Sequence, residues 1–166
     1  MHEIELIKFD IDNDTMLMAL LPLYQVYEAE ISDEEVDEFY PANSFAELVV
    51  HFKEYFGGKT TYVCTLDGEY RGFVTFHLDC NETPGYADGY TGWGHLSEIY
   101  THKQSRGIGL GKILVKKAEE ELRKLDVIGI HLMNLLPANS GFWLGLGYLD
   151  TGKTEPIEGG QIYEKR

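Results

Sequence analysis

Apolar positions change their spacing several times along the chain, and each change marks an element. Residues 2 to 9 alternate closely enough for an edge strand. From Met16 the period lengthens: Met16, Leu20, Leu23, Tyr24 and Tyr27 share one helical face, with Pro22 a kink or break. Ser44 and Glu47 form a capping box ahead of Phe45, Leu48, Val49 and Phe52, and Gly57-Gly58 ends that helix. Strands over about 60–66 and 69–79 flank Asp67-Gly68, a strong hairpin signal. A strand over about 95–101 leads into a helix over 109–125 that sets Leu110, Leu114, Ala118, Leu122 and Leu125 on one side, and a strand near 127–133 follows. Strand, helix, strand in that order is a crossover unit, so the two strands lie parallel. A short helix near 139–145 and strands near 147–152 and 160–164 close the chain. No repeat, linker or low-complexity tract divides it, so residues 1–166 are expected to form a single domain.

The junction at Glu98-Ile-Tyr-Thr-His-Lys-Gln-Ser-Arg-Gly-Ile-Gly-Leu-Gly111 holds the most chemistry. Glycines 107, 109 and 111 sit where a strand turns into a helix, so main-chain N–H groups can converge on phosphate oxygens. The helix that follows adds the positive end of its dipole. A P-loop is excluded, because Arg106 stands where its first glycine belongs and Ile113 where Ser or Thr belongs. The dinucleotide fingerprint is excluded as well, since the spacing is Gly-x-Gly-x-Gly and lies two-thirds along the chain.

What remains, Arg106-x-x-Gly109-x-Gly111, resembles the pyrophosphate loop of the GNAT superfamily of acetyl-CoA-dependent N-acetyltransferases. Two further stretches are similar to that family: Tyr62 to Phe76 to its first central hairpin, and Gly141-Phe-Trp-Leu-Gly-Leu-Gly-Tyr148 to its late helix-to-strand segment. The likeness covers roughly residues 60 to 150. It implies an α/β (α+β) fold with a mixed, largely antiparallel central sheet, one parallel pair at about 95–101 and 127–133, and flanking helices. It implies acetyl-CoA as acyl donor without a metal. The main chain of Ile99, Tyr100 and Thr101 would then bond the pantetheine arm, and amides of Arg106, Gly107, Ile108, Gly109, Leu110, Gly111 and Lys112 the diphosphate. Asn139 or Ser140 would touch the same arm or serve as a plain helix cap. Many relatives pair, which makes a homodimer an expectation too.

Composition narrows the classes. With 43% apolar residues, 13% of the chain aromatic, a sizeable core is available. The longest uncharged apolar run near the amino terminus, Met16 to Tyr24, is far short of the roughly 20 residues a membrane helix needs. The first residues carry acids rather than the basic and apolar regions of a leader. Cys64 and Cys80 read as reduced thiols of a cytoplasmic protein. The six histidines have no metal-ligand spacing, and His95 and His102 read as surface or strand residues.

A net charge of −14 argues against a nucleic-acid partner. Half of the basic residues nonetheless lie between Lys103 and Lys124, which suits an anionic cofactor or, beyond Lys112, a solvated helix face with Lys and Glu paired four apart. The acids Glu28, Glu30, Asp33, Glu34, Glu35, Asp37 and Glu38 read first as a solvated loop or helix end, and second as an attraction for a cationic acceptor. Residues 80 to 94 make a long connection whose Tyr86, Tyr90 and Trp93 either border an acceptor pocket or form an exposed tip.

N-acylation sets its own demands. Freeing the lone pair of an amine of pKa ~10.4 at neutral pH costs about 4.6 kcal/mol unless a base takes the proton. Glu98 is the candidate base, because many family members use a glutamate at this place; otherwise it is a strand carboxylate paired with Lys or Arg. Tyr100 shares its face and would orient the same water or substrate. The family often protonates the departing thiolate with a tyrosine where this chain has Trp143, and indole cannot do that. A thiol of pKa ~8.5 leaves readily in any case, so the loss is at most about 2 kcal/mol. Trp143 packs against the pantetheine arm or belongs to the core. The sequence therefore points to transfer of acetyl from acetyl-CoA to a primary amine of a small molecule or peptide, by direct attack in a ternary complex. The alternative is a CoA-binding sensor of the same fold without turnover; a nucleotide-binding regulator is more remote.

Overall fold

Asp67 and Gly68 both take positive φ, 52° and 82°, the backbone that a tight primed hairpin turn requires. They join β2 (Thr60–Leu66) to β3 (Glu69–Leu78), whose antiparallel register runs from Thr60 opposite Phe76 to Leu66 opposite Glu69. The computed structural model describes residues 2–32, 45–81, 84–85 and 87–166, without the side chains of Phe45, Leu48 and His51. The hairpin lies within a seven-stranded sheet of order β1-β2-β3-β4-β5-β7-β6, with β1 (Ile4–Lys8) at one edge. The other strands are β4 (Gly94–Thr101), β5 (Ile130–Asn134), β6 (Leu149–Thr154) and β7 (Gln161–Lys165). Every neighbouring pair is antiparallel except β4 and β5, as the crossover rule requires.

Helices cover both faces. α1 (Asp14–Ser32) begins where the Asn13 side chain accepts the Met16 N–H at 3.1 Å. It runs through Pro22 instead of breaking there. Pro22 is on the exposed side, where water can take the Met18 carbonyl that its missing N–H leaves over. α2 (Phe45–Phe56) follows; Ser44 of the expected capping box is outside the described residues. Together α1 and α2 bury Leu20, Tyr24, Phe52 and Phe56 against Val63, Phe73 and Tyr100 of the sheet. α3 (Leu110–Arg123) covers the opposite face, with Leu114, Val115, Ala118 and Leu122 on Val74, Phe76, Leu96 and Leu132. It stops earlier than the apolar spacing suggests: Asp126 turns the chain at φ 56°, and Leu125 is 54% exposed. The short α4 (Ser140–Gly145) packs on the same side through Trp143.

The face beneath α1 and α2 changes character row by row. Val63, Phe73 and Tyr100 stand opposite one another in an apolar row, and Thr61, Thr75 and Glu98 form the next. Beyond these lie His77, His95 and His131 in one cross-strand row. All three are buried: His77 meets His95 edge-on at 4.9 Å, and His95 stacks on His131 at 4.6 Å. Tyr90 closes the row, stacked on His131 at 4.1 Å with its hydroxyl donating to Glu164 at 2.5 Å. Tyr90 and Trp93 thus form a small core with Ile162 and are not an exposed tip; Tyr86 is outside the described residues. His95, expected at the surface or in a strand, is a fully buried strand residue. Cys64 is a buried thiol, and burial pushes it up to about 12.

Burial holds His95 down to about 2 and His131 to about 4, the latter despite Asp79 at 3.0 Å, which favours its charged form. Both folded values lie below the ordinary 6.5. The unfolded chain therefore binds more protons as pH falls, and stability that is complete above about 6.5 drains away toward pH 4. Each histidine adds up to about 1.4 kcal/mol per pH unit to that slope. Thermal unfolding between pH 7 and 4 is expected to show a visibly shallower acid slope in His95→Phe than in the wild type; equal slopes would contradict the assignment.

Candidate active site

Strand β4 serves its two neighbours unequally. It pairs with β3 along its whole length, with the register shifting between Thr75 and Phe76 so that Ser97 is the extra residue of a bulge. With β5 it pairs only at Gly94, His95 and Leu96. From Ser97 onward the β5 side of the strand has no ladder partner among the described residues. The His102 N–H bonds the Arg71 carbonyl at 2.8 Å, which sets the phase of the antiparallel ladder: main-chain groups of Glu98 and Tyr100 point to β3, and those of Ile99 and Thr101 to the open side. Of the three residues expected to offer main-chain groups to a pantetheine arm, Ile99 and Thr101 turn theirs to the open side, where the Thr101 carbonyl accepts from Arg106, and Tyr100 turns its own toward Phe73.

The open edge leads directly into the glycine turn. Lys103–Ser105 make one turn of 3-10 helix, and Gly107 and Gly109 follow at φ 83° and 92°. Both glycines are exposed, and a Cβ on either would meet nothing within 4 Å. Among the described residues, the N–H groups of Gly107, Ile108 and Gly109 donate to no main-chain carbonyl. Gly109 caps α3 without a side chain, so the first amides of that helix, from Leu110, Gly111 and Lys112, are also left over. A row of unused donors at a helix start is a site for an anion. Gly111 is different in kind, since a Cβ there would lie 3.3 Å from the Phe142 ring. Lys103 and Lys112 are exposed beside the turn. Lys117, Arg123 and Lys124 instead pair with Glu121, Glu119 and Glu120, which makes the rest of the helix a solvated charged face.

Arg106 is engaged on the α1 side of the turn. Its Nε donates to the Thr101 carbonyl at 3.0 Å, and its Nη2 to Glu30 at 2.5 Å. Glu30 also accepts from the Tyr100 hydroxyl at 2.8 Å, and these contacts hold its carboxyl below the usual range despite burial. Glu30 thus ties the end of α1 to the glycine turn. Tyr100 shares the face of Glu98 but spends its hydroxyl on Glu30, and burial with that bond raises its pKa. Of the acidic run, Asp33 to Glu38 are outside the described residues.

Glu98 accepts hydrogen bonds from the hydroxyls of Tyr27 of α1 and Tyr55 of α2. It makes no ion pair with a Lys or Arg among the described residues. Burial raises its pKa; the two hydroxyls and the nearby charge of Lys59 pull the other way without cancelling that effect. Neither tyrosine was legible in the sequence as a partner of Glu98, although Tyr27 carried the helical period. Tyr27 is fixed between Phe73 and Tyr100, each ring 5.3 Å away.

The remaining candidates lie across the gap. Trp143 is 5% exposed and packs edge-on against Phe142 and Tyr148, in the core beneath the sheet. Asn139 is exposed and makes no cap bond, while Ser140 accepts from Asn134 at the end of β5 at 3.4 Å. His102 is half-buried, with its Nδ1 accepting the Gln104 N–H. A separate hollow of about 430 Å³ lies between Pro22 to Val26 of α1 and the turn at Gly68 to Arg71, lined by none of the donor-side residues. Among the described residues no group of three or more His, Cys, Asp or Glu is placed to hold a metal, and no helix is long and apolar enough to cross a membrane.

A split strand pair leading into a glycine turn at a helix start defines a class, and comparison with known proteins agrees. The model of the acetyltransferase (GNAT) family matches residues 23–148, well over half of the chain, and the chain belongs to that family. The acetyltransferase Atu2258 of Agrobacterium fabrum is 28% identical over 90 residues, a stretch covering 53% of this chain and 66% of that relative. Among solved structures, PH1933 from Pyrococcus horikoshii superposes with a TM-score of 0.73 at 19% identity, over 99% of this chain and 98% of its own. A GNAT family acetyltransferase from Brucella melitensis, solved in complex with acetyl-CoA, has a TM-score of 0.60 at 16% identity over 98% and 88% of the two chains. Both structures share the fold.

Gly109 sits in the left-handed region with open space around it, so Gly109→Ala introduces backbone strain and no clash. It is expected to lower unfolding free energy by about 1–2 kcal/mol in urea titration. A neutral result would mean that the turn is free to adopt another conformation.

Proposed function

We propose that this chain is an N-acetyltransferase, moving the acetyl group of acetyl-CoA to a primary amine of a small molecule or peptide by direct attack in a ternary complex. The observation that carries the reading is the place of Glu98: a partly desolvated carboxylate, held by two tyrosine hydroxyls, on the strand whose open edge runs into the glycine turn. The turn amides and the α3 dipole suit the diphosphate of the donor, and the main-chain groups of Ile99 and Thr101 suit the amides of its pantetheine arm. The relatives' names support acetyl transfer, and a solved neighbour binds acetyl-CoA.

Within this reading Glu98 takes the proton that the amine must lose. Its raised pKa makes it a stronger base than an ordinary carboxylate, and the hydroxyls of Tyr27 and Tyr55 aim it. Amine nitrogen forms a bond to the acyl carbon, the carbon–sulfur bond breaks, and the thiolate leaves as a group of pKa ~8.5 that needs no acid of its own. Trp143 supplies none, and its packing in the core assigns it support of the segment facing β5.

Acetyl-CoA at a hundredfold excess over its dissociation constant is expected to stabilise the protein by about 2.7 kcal/mol. Free CoA should then appear with an amine panel, and Glu98→Gln should lower kcat by about 10²–10⁴ while keeping the stabilisation. Stabilisation with no CoA release from any amine would identify a binding module instead. Tyr55→Phe removes a donor to the carboxylate, so the acid limb of kcat/KM should move to higher pH; a shift to lower pH would contradict the role given to Glu98.

A further inference from the structure

The sheet face that carries Glu98 also carries a cation that proton removal does not need. Lys59 stands between α2 and β2, its N–H bonded to the Phe56 carbonyl at 3.2 Å. Because Thr60 is opposite Phe76, Lys59 heads the row that continues through His77 and His95. Its ammonium lies 4.6 Å from the centroid of the Tyr55 ring, and the hydroxyl of that same ring donates to Glu98. Among the described residues no carboxylate comes within 4.0 Å of it. Burial lowers the Lys59 pKa, with the charge of Glu98 acting in the opposite sense.

Exposure separates the groups a substrate can reach from those it cannot. Thr61, Thr75, His77 and His95 are buried, whereas Lys59, Ser97 and Glu98 each keep part of their surface in solvent. The accessible floor therefore presents a base and, beside it, the half-buried Lys59, whose ammonium has no carboxylate within 4.0 Å among the described residues. An ammonium placed so has lost hydration that an incoming anion would replace. Glu28 and Glu30 border the same face from α1 and would repel an acceptor that carried negative charge alone.

We infer that Lys59 receives a carboxylate of the acceptor, so that the amine acetylated at Glu98 belongs to an amino acid or amino-acid-like compound and not to a plain alkylamine or diamine. This rests on the acyl-transfer reading and adds the acceptor class to it. One ionic hydrogen bond of this kind, about 1.5–3 kcal/mol, corresponds to a preference of roughly tenfold to a hundredfold.

The test uses matched acceptors that differ only in the carboxylate, lysine against cadaverine and β-alanine against ethylamine, with CoA release as readout. Wild-type protein is expected to prefer the carboxylated member of a pair by at least about tenfold in kcat/KM. Lys59→Met should bring that ratio near one through a higher KM for the carboxylated member, and Lys59→Arg should restore most of it. Preference for the plain amines, or an equal loss on both members in Lys59→Met with Tm unchanged, overturns the assignment. Release of no CoA with any acceptor, while acetyl-CoA still raises Tm, sinks the acyl-transfer reading and this inference with it.

Discussion

The unequal pairing of β4 is the constraint on which the site depends. A strand in a sheet interior normally has every second main-chain group committed to each neighbour, which leaves nothing for a ligand. Here the loss of β5 after Leu96 frees the second half of one side, while the β3 side stays paired on either side of the bulge at Ser97. The strand is thus rigid and available together. Its free edge presents Ile99 and Thr101, its helix-side face presents Glu98, and its end becomes the glycine turn.

The attraction for an anion at that turn is made largely by main chain. Half of the chain's basic residues cluster around the turn and α3, yet Lys117, Arg123 and Lys124 are occupied by glutamates three or four positions away. The exposed pairs of Lys117 and Lys124 contribute little to stability, about 0–1 kcal/mol each, and they also neutralise the helix face. Arg106 is engaged as well, by Glu30 and the Thr101 carbonyl. What faces outward is a set of exposed amides at the positive end of a helix, in a protein of net charge −14. An acidic surface elsewhere restricts anion binding to the place where geometry provides donors.

Glu98 is governed by two opposed effects, and burial wins. Two hydroxyl donors and a nearby ammonium stabilise its charged form, while desolvation beneath α1 and α2 disfavours it more strongly. Its partners come from two different helices, Tyr27 and Tyr55, so the carboxylate is oriented only when α1 and α2 are both seated on the apolar row of Val63, Phe73 and Tyr100. Packing of the helices and orientation of the carboxylate are therefore one event, and Glu30 extends that event to the glycine turn through Arg106.

Local and periodic features were legible in the chain. Apolar spacing marked the helices and strands to within a few residues, Asp67-Gly68 marked the hairpin, and the order strand, helix, strand required the parallel pair, because these depend on neighbours in sequence and on chain handedness. The glycines at 107 and 109 marked the turn for the same reason: positive φ is a property of single residues. What joins distant segments was not legible. Leu125 kept the helical period but lies past the end of α3, and Tyr90, read as a loop aromatic, closes a buried histidine row with Trp93 packed edge-on against it. The partners of Glu98 stand 71 and 43 positions away in sequence, and Lys59 meets its ring only because α2 ends where β2 begins. Residue identity and spacing determined the elements, the glycine turn and the candidacy of Glu98; desolvation and side-chain pairing across helices and strands exist only once the sheet and its helices are packed, so tertiary structure alone decided what holds Glu98 and what stands beside it.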